Sequence, residues 1–183
     1  MSSREWQDLS AFSMPPGFRG RSVLIVQLWW FVQATFFRWS PQAFYGWRRL
    51  LLRLFSAKIG RGVVIRPTAI ITYPWKLSID DYSWIGDDVV LYSLSNIRIG
   101  KHSVISQRSY LCGGGHDYTK VTFDMLAEDI VIGDEVWIAT DVFVAPGVTI
   151  EDGCVVGARS SVFHDLPKAM ICLGSPAKPI RAR

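Results

Sequence analysis

The chain has 183 residues, of which 49% are hydrophobic. This is enough apolar material for one sizeable core with an appendage, but not for two full-sized domains. The formal net charge is only +4, and the basic residues lie mainly near the two ends. That distribution favours local contacts with anions and argues against a nucleic-acid-binding surface.

Cysteine usage and the N-terminal sequence bear on the compartment. Cys112, Cys154 and Cys172 are odd in number and form no CxxC pair, which argues against a disulfide framework and for a reducing compartment. The N-terminal sequence MSSREWQDLS lacks the basic-then-apolar order of a secretory signal. We therefore expect a cytoplasmic protein.

Residues 1–57 are predicted to form a helical segment. Ser22 is a candidate N-cap for a helix over VLIVQLWWFVQATFF, and Ser40 and Pro41 are a candidate N-cap and first-turn residue for a second helix over QAFYGWRRLLLRLF. The second helix is predicted to be amphipathic, because its apolar residues recur at helical spacing and its arginines fall largely elsewhere. The apolar residues are Phe44, Trp47, Leu51, Leu54 and Phe55, and the arginines are Arg48, Arg49 and Arg53.

The apolar run from Val23 to Phe37 is too short to span a bilayer, since it has fifteen residues and a spanning helix needs about 20. Two roles remain for the helical segment. We favour packing, in which the helices cap the rest of the chain and pack between subunits. The alternative is peripheral contact with the inner membrane surface, where tryptophan and arginine favour the interface.

From residue 58 onward the sequence is dominated by an aliphatic repeat. Its period of six fits neither a helix nor a simple strand, but it fits a short strand followed by a turn. A second row of small or β-branched residues lies two positions before each later member and is predicted to share the same interior. The first row is Ile132, Ile138, Val144, Ile150, Val156 and Val162, and the second is Val136, Val142, Val148, Cys154 and Ser160.

The repeat continues upstream in triplets that start twenty residues apart. Three six-residue units close a triangular coil, and stacked coils pair their backbones in parallel around a shared aliphatic core. We therefore predict an all-β fold, a parallel β-helix of about five coils over residues 58–168, rather than an ordinary β-sandwich. The triplets are Ile59, Ile65 and Ile71, then Ile79, Ile85 and Leu91, then Ile99, Ile105 and Leu111.

One coil is interrupted, because the distance from Leu111 to Ile132 is far longer than the period requires. A loop over residues 112–131 is predicted to protrude from the prism there. Loops that leave a rigid scaffold commonly carry function. This loop carries His116, a residue type suited to accepting a proton near neutral pH.

The six-residue runs IGDEVW, IATDVF, VAPGVT, IEDGCV and VGARSS resemble those of the hexapeptide-repeat acyltransferases, which fold as left-handed parallel β-helices and usually work as trimers. The Gly-His loop, followed by WIAT, APGVTI, VVGARSSV and GSPAKPIR, is similar to the maltose, galactoside and nodulation acetyltransferases. The Trp-rich N-terminal part is similar to the branch that serves colanic acid biosynthesis. The resemblance implies transfer of acetyl from acetyl-CoA to a sugar hydroxyl in exopolysaccharide biosynthesis.

The resemblance also implies roles for individual residues. His116, which follows glycine in the loop, corresponds to the general base. Thr140 in WIAT and Ala158 in VGARS match positions that touch the pantetheine arm of CoA. Lys178 and Arg181 in GSPAKPIR match positions that bind its nucleotide end, where cations suit the phosphates. No metal is required for this chemistry.

Several points stay open at this level. Asp117, Asp124 and Glu128 are all candidates to orient the His116 ring. Cys112 is disfavoured as an acyl-accepting nucleophile, because these enzymes transfer the acetyl group directly. The coil before the loop reads GDDVVLYSLSNI, which does not carry over the family's acceptor residues, so the substrate residues are unassigned.

The implied partners are a sugar or lipid-linked oligosaccharide acceptor and two further copies of the chain in a homotrimer. The C-terminal tail, residues 169–183, is expected to help form the CoA sites of this trimer. Two rival functions are weighed against this. A non-catalytic hexapeptide-repeat scaffold would need neither the His loop nor the basic C-terminal motif. A γ-carbonic-anhydrase-like metal lyase needs two histidines five residues apart, whereas His102, His116 and His164 have no close pair.

Overall fold

A computed structural model describes residues 6–183, so the first five residues of the predicted N-terminal segment lie outside the described residues. From Lys58 onward the chain winds into a parallel β-helix whose three faces are three sheets, called A, B and C here. Successive coils pair in register, as in Lys58 with Ser78 and Leu77 with Ile97. The predicted fold class is confirmed.

Each sheet collects one strand from each coil, in order from the N-terminal base of the prism. Sheet A contains β1 (Lys58–Ile59), β4 (Leu77–Ile79), β7 (Ile97–Ile99), β12 (Ile130–Ile132) and β15 (Thr149–Ile150). Sheet B contains β2 (Val64–Ile65), β5 (Trp84–Ile85), β8 (Val104–Ile105), β13 (Trp137–Ile138), β16 (Val155–Val156), β18 (Met170–Gly174) and the antiparallel β19 (Ala177–Ala182). Sheet C contains β3 (Ile70–Ile71), β6 (Val90–Tyr92), β9 (Tyr110–Cys112), β14 (Phe143–Val144) and β17 (Ser161–Val162).

The aliphatic rows fill the axis of the prism as predicted. Every member of the row from Ile132 to Val162 is at most 1% exposed, and the second row from Val136 to Ser160 is buried as well. The upstream triplets from Ile59 to Leu111 are also buried. Two inward residues per side therefore build a continuous core from coil to coil.

Glycine at the corners follows from the close approach of neighbouring coils. A Cβ atom on Gly86 would lie 2.7 Å from the backbone nitrogen of Gln107, and one on Gly100 would lie 2.6 Å from the carbonyl carbon of Gly133. Because these neighbours are backbone atoms of the next coil, they cannot move aside without breaking the ladder.

Five complete coils are present in the described part of the chain, and a sixth is begun. Leu166 bridges to Ile150, and β18 then pairs with β16 and turns back as β19. The predicted tail over 169–183 is therefore a hairpin that extends sheet B. The hexapeptide pattern does not reveal it, because the sequence FHDLPKAM lacks the aliphatic period.

The N-terminal segment forms the predicted two helices, which close the base of the prism. Helix α1 spans Val23–Val32 with Ser22 as its N-cap and continues as a π-helical turn over Gln33–Phe37. Trp29, Phe37 and Leu52 are fully buried in the same core as the first coil. None of the helices in the described part of the chain is long and apolar enough to cross a bilayer.

The predicted start of the second helix is wrong. Helix α2 spans Tyr45–Leu54 and has Phe44 as its N-cap, so Ser40 and Pro41 precede it in a turn. The Ser40 hydroxyl does not cap α2, because it donates to the carbonyl of Phe37 at 2.6 Å and accepts from Arg48 at 2.7 Å.

Helix α2 turns its arginine face toward the prism. Arg48 is 0% exposed and donates to the carbonyl oxygens of Ile65 at 2.6 Å, Pro41 at 2.9 Å and Gln42 at 2.5 Å. Arg49 and Arg53 donate in the same way to backbone carbonyls of the first coil, namely those of Val63, Ile59 and Gly60.

The orientation of α2 has a simple physical cause. The first coil has no coil beneath it, so the backbone groups on that edge lack ladder partners. Guanidinium groups supply donors in a fixed fork and reach these carbonyls from the helix. As a consequence Phe44, Trp47 and Leu54 are exposed, while Leu51 alone of the five predicted apolar-face residues is fully enclosed and Phe55 is half-buried.

We expect Arg48→Met to lower the free energy of unfolding by roughly 3 kcal/mol, because several buried acceptors lose their donor at once. Chemical denaturation followed by circular dichroism measures the change. Arg61→Met is the matched control, since the Arg61 side chain is 81% exposed and pairs with Asp81 at the surface. Equal shifts for the two variants would contradict the structural role of Arg48.

Candidate functional site

His116 lies on a small β-hairpin that leaves the prism between β9 and β12. The hairpin pairs β10 (Gly115–His116) with β11 (Met125–Leu126), with His116 opposite Met125. The backbone nitrogen of Asp117 donates to the carbonyl of Asp124 at 2.8 Å and extends the pairing. The loop predicted for this region is thus an ordered hairpin, so His116 has a defined position.

The His116 ring is held in one tautomer by a backbone carbonyl. Its Nδ1 lies 2.8 Å from the carbonyl oxygen of Phe123. Because a carbonyl oxygen can only accept a hydrogen bond, Nδ1 must carry the hydrogen. In the neutral ring, Nε2 therefore has a free lone pair and can take up a proton.

Two phenylalanine rings hold the imidazole in place. The Phe123 ring stacks on it with centroids 4.1 Å apart, and Phe12 approaches edge-on at 5.9 Å. Phe12 comes from the N-terminal segment, which also contacts the hairpin through the Asp8 nitrogen and the Val121 carbonyl at 2.8 Å. Sequence reasoning missed both rings, since neither the repeat nor the spacing connects residue 12 with residue 116.

Of the three acidic candidates for orienting the ring, Asp117 and Asp124 have other partners. Asp117 accepts from the backbone and hydroxyl of Thr119, and these bonds lower the pKa of Asp117. Asp124 accepts from Lys120 and Thr122, which lowers its pKa in the same way. Glu128 lies beside Gly147. The question left open by the sequence is thus answered by the Phe123 carbonyl and by none of the acids.

Hydrogen bonds hold the N-terminal segment against the prism near the His116 hairpin. Trp75 Nε1 donates to the carbonyl of Arg19 at 2.7 Å. Lys76 Nζ donates to the carbonyls of Phe18 at 2.8 Å and Leu94 at 2.5 Å, and burial lowers the pKa of Lys76. These contacts lie between the base of the prism and the His116 hairpin, so they help to set the position of Phe12.

Thr140 and Ala158 lie one above the other at the corner between sheets B and C, called the B–C corner here. The backbone nitrogen of Arg159 donates to the carbonyl of Thr140 at 2.9 Å. The Thr140 hydroxyl donates to the carbonyl of Gln107 at 3.0 Å, and Ala158 is exposed. The structure therefore brings these two predicted CoA residues together on consecutive coils.

Lys178 and Arg181 lie on β19, beyond the last coil. Lys178 pairs with Leu173 and Arg181 with Ile171, and both side chains are exposed. The Gly174 nitrogen donates to the Ser160 hydroxyl at 3.1 Å, which ties the hairpin turn to the B–C corner. Lys178 thus continues the line of Thr140 and Ala158 toward the C-terminal end.

His116 does not share that corner. Its hairpin leaves at the corner between sheets C and A, called the C–A corner here, because it follows β9 of sheet C and precedes β12 of sheet A. A side of about five residues at about 3.3 Å each puts about 17 Å between the two corners. Within one chain, therefore, His116 is separated from the predicted CoA residues by one face of the prism.

Within the described residues, the other histidines and Cys112 take no part in a group that could hold a metal. His102 is exposed and stacks on Tyr82, and His164 is also exposed. Cys112 is half-buried and directs its thiol to the carbonyl of Gly114 at 3.0 Å. Among residues 6–183 there is no group of three His, Cys, Asp or Glu side chains placed to hold a metal ion.

Comparison with known proteins assigns the family. Residues 129–164 match the family model "Bacterial transferase hexapeptide (six repeats)". The chain is 64% identical, over 97% of both sequences, to WcaF of Escherichia coli (strain K12), a protein assigned to colanic acid biosynthesis as an acetyltransferase. The chain belongs to the hexapeptide-repeat acetyltransferases. The prediction of an acetyltransferase that uses acetyl-CoA is confirmed at the level of this family.

Solved structures agree with this membership. A hexapeptide-repeat acetyltransferase from Vibrio cholerae O1 biovar eltor, complexed with acetyl-CoA, is 25% identical with a TM-score of 0.79, and the match covers 89% of this chain and 91% of that one. A galactoside acetyltransferase in complex with coenzyme A shares the fold at 24% identity, with a TM-score of 0.82 and 93% and 84% coverage. The Escherichia coli (strain K12) galactoside O-acetyltransferase is 28% identical over 73% of this chain and 68% of its own length.

We expect Phe123→Ala to lower kcat about tenfold and to leave the KM for acetyl-CoA nearly unchanged. Loss of the stacked ring lets the imidazole leave its working orientation, and such ring pairs are worth about 1 kcal/mol. Steady-state acetyl transfer measures both constants. Tyr118→Ala is the control, because Tyr118 is an exposed aromatic residue of the same hairpin. If the two variants lose activity equally, Phe123 does not position His116.

Proposed function

We propose that this enzyme moves the acetyl group of acetyl-CoA to a sugar hydroxyl in exopolysaccharide biosynthesis of the colanic acid type. The observation that carries the proposal is the His116 ring, whose Nδ1 is engaged by the Phe123 carbonyl and whose Nε2 is left to act as a base. The 64% identity to WcaF over nearly the whole chain supports the polysaccharide setting.

The proposed reaction is a direct transfer. Nε2 of His116 removes the proton of the acceptor hydroxyl as its oxygen attacks the thioester carbonyl. The tetrahedral intermediate collapses with cleavage of the carbon–sulfur bond, and the sulfur leaves with the proton that His116 returns. The Phe123 carbonyl stabilises the imidazolium through Nδ1–H, and the two phenylalanine rings keep Nε2 directed at the acceptor.

The proposed CoA groove follows the B–C corner. Ala158 is small and exposed, so an extended pantetheine arm can lie across it, and Thr140 lies on the coil below. Lys178 and Arg181 provide cations for the phosphates of the nucleotide end. The arrangement of these four residues along the prism suits a long, thin ligand.

A homotrimer completes the proposed site. Since His116 and the B–C corner lie one face apart in a single chain, a neighbouring subunit that brings its C–A corner to this groove would join base and donor. The acceptor is a sugar or a lipid-linked oligosaccharide. We assign the reaction to the cytoplasm, at the inner membrane surface when the acceptor is lipid-linked.

His116→Ala should lower kcat by about 10²- to 10⁴-fold and leave acetyl-CoA affinity nearly unchanged, because a general base acts in the transition state. A thiol-release assay with a panel of sugars, sugar nucleotides and lipid-linked oligosaccharides gives kcat, and calorimetry gives the affinity. His102→Asn is the matched control, since His102 is exposed on another corner. An unchanged kcat for His116→Ala would remove this residue from the mechanism.

Lys178→Ala combined with Arg181→Ala should raise the KM for acetyl-CoA and change kcat little. Charge-assisted contacts with phosphate are made in the ground state and the transition state alike. Initial rates over a range of acetyl-CoA concentrations test this, with Arg61→Ala as an exposed arginine at the opposite end of the prism. Equal binding of CoA and dephospho-CoA to the native enzyme would rule out a contact with the 3′-phosphate. The pyrophosphate would then be the group that Lys178 and Arg181 contact.

Light scattering should report a mass of about 62 kDa, three times the 20.7 kDa of one chain. The physical reason is the separation of His116 from the donor groove, which a second subunit must bridge. Dilution below the trimer dissociation constant should abolish activity together with the larger mass. A stable monomer with full activity would contradict a site shared between subunits.

A further inference from the structure

The two helices that close the base expose a large apolar surface on their outer side. Trp39 is 82% exposed and Leu24 is 81% exposed, and Leu28, Phe31 and Phe44 are more than half exposed. We call this outer side the cap face; it comprises Leu24, Leu28, Phe31, Phe36, Trp39, Phe44, Trp47, Leu50 and Leu54. The surface of a soluble protein rarely exposes so many large apolar side chains in one patch unless a partner covers them.

The cap face is one continuous surface. Leu24, Leu28 and Phe31 follow one another at helical spacing along α1, and the Phe31 ring contacts that of Phe36 with centroids 6.3 Å apart. Trp47 Nε1 donates to the Phe36 carbonyl at 3.0 Å and joins α2 to the same surface. Between the π-helical turn and α2 lies an open groove of about 800 Å³, lined by Phe36, Trp39, Phe44, Trp47, Leu50 and neighbouring small residues.

The composition of α1 indicates that something covers it. Gln27 is the one polar residue between Val23 and Val32, so the helix is apolar on every side. Within the described helix, however, the buried residues are Val26 and Trp29. A helix that is apolar all round normally lies in a core or in lipid.

The charge around the cap face is uniformly positive. Residues 9–57, which include both helices, contain six arginines and no aspartate or glutamate. Arg21 and Arg38 are exposed beside the apolar residues. A protein partner would match these residues with acidic side chains, whereas the surface of an anionic bilayer matches both the positive rim and the aromatic residues.

We infer that the cap face docks on the surface of an anionic lipid bilayer, with α1 and α2 lying in the plane of the interface. The arginines of α2 that face inward fix the helix on the prism, which keeps its apolar side outward and ready to insert. Trp39, Trp47 and Phe44 enter the region between headgroups and acyl chains, and Arg38 contacts lipid phosphates. The inference does not depend on the reaction that His116 performs.

Vesicle flotation with the full-length protein tests this. Native protein should float with vesicles of phosphatidylcholine and phosphatidylglycerol and much less with phosphatidylcholine alone. Trp39→Ser should reduce the bound fraction about tenfold, whereas Tyr118→Ser should not, although both side chains are 82% exposed. Arg38→Gln should weaken binding to the anionic vesicles about fivefold, since one basic residue near such a surface contributes about this factor.

A second pair of changes guards against misfolding. Leu24→Ser with Leu28→Ser alters the cap face from α1 alone and should also abolish flotation, while light scattering and thermal unfolding match those of the native protein. Native protein that never floats, or cap-face variants that float as well as native, would overturn the inference. A change of molecular mass in the cap-face variants would also overturn it, because the surface would then be covered by a second copy of the chain.

Discussion

The backbone of a β-helix has hydrogen-bonding partners on both sides everywhere except at its first and last coils. At the C-terminal end, β18 continues sheet B and β19 pairs with it in the antiparallel direction, so backbone hydrogen bonds cover this edge of sheet B. At the base, the carbonyls of the first coil receive donors from Arg48, Arg49 and Arg53. The rest of the structure depends on these arginine contacts. Without them the first coil would have carbonyls that lack hydrogen-bond donors, and its exposed edge would be a template for aggregation.

That requirement determines what the outside of the molecule looks like. A helix that directs its arginines at the first coil leaves part of its apolar surface to the solvent, and in α2 that part includes Trp47 and Leu54. Trp29, Phe37 and Leu52 fill the open end of the core at the same time. The buried side of α2 therefore combines Arg48 with Leu51 and Leu52, whereas an ordinary amphipathic helix buries apolar residues alone.

Much of the fold is predictable from residue type and period, because each inward position of the repeat tolerates only an aliphatic or small side chain. The position of His116 on a protrusion is predictable as well, because the period is interrupted there. The orientation of α2 is not predictable, since helical spacing does not say which side meets a protein surface that lacks donors. Phe12 and the Phe123 carbonyl are equally hidden, because one is distant in sequence and the other is a backbone atom.

The hairpin that carries His116 can change in evolution without a change in the rest of the prism. The chain leaves sheet C after Cys112 and returns to sheet A at Ile130 with Val131 still opposite Arg98, so the register above and below is unaffected by the 17 residues in between. Hairpin length and sequence are thus decoupled from the geometry of the stack. Recombination or drift within this short segment can alter what approaches the histidine, while the B–C corner, which we propose binds CoA, keeps its shape. New acceptors would then become accessible without redesign of the scaffold.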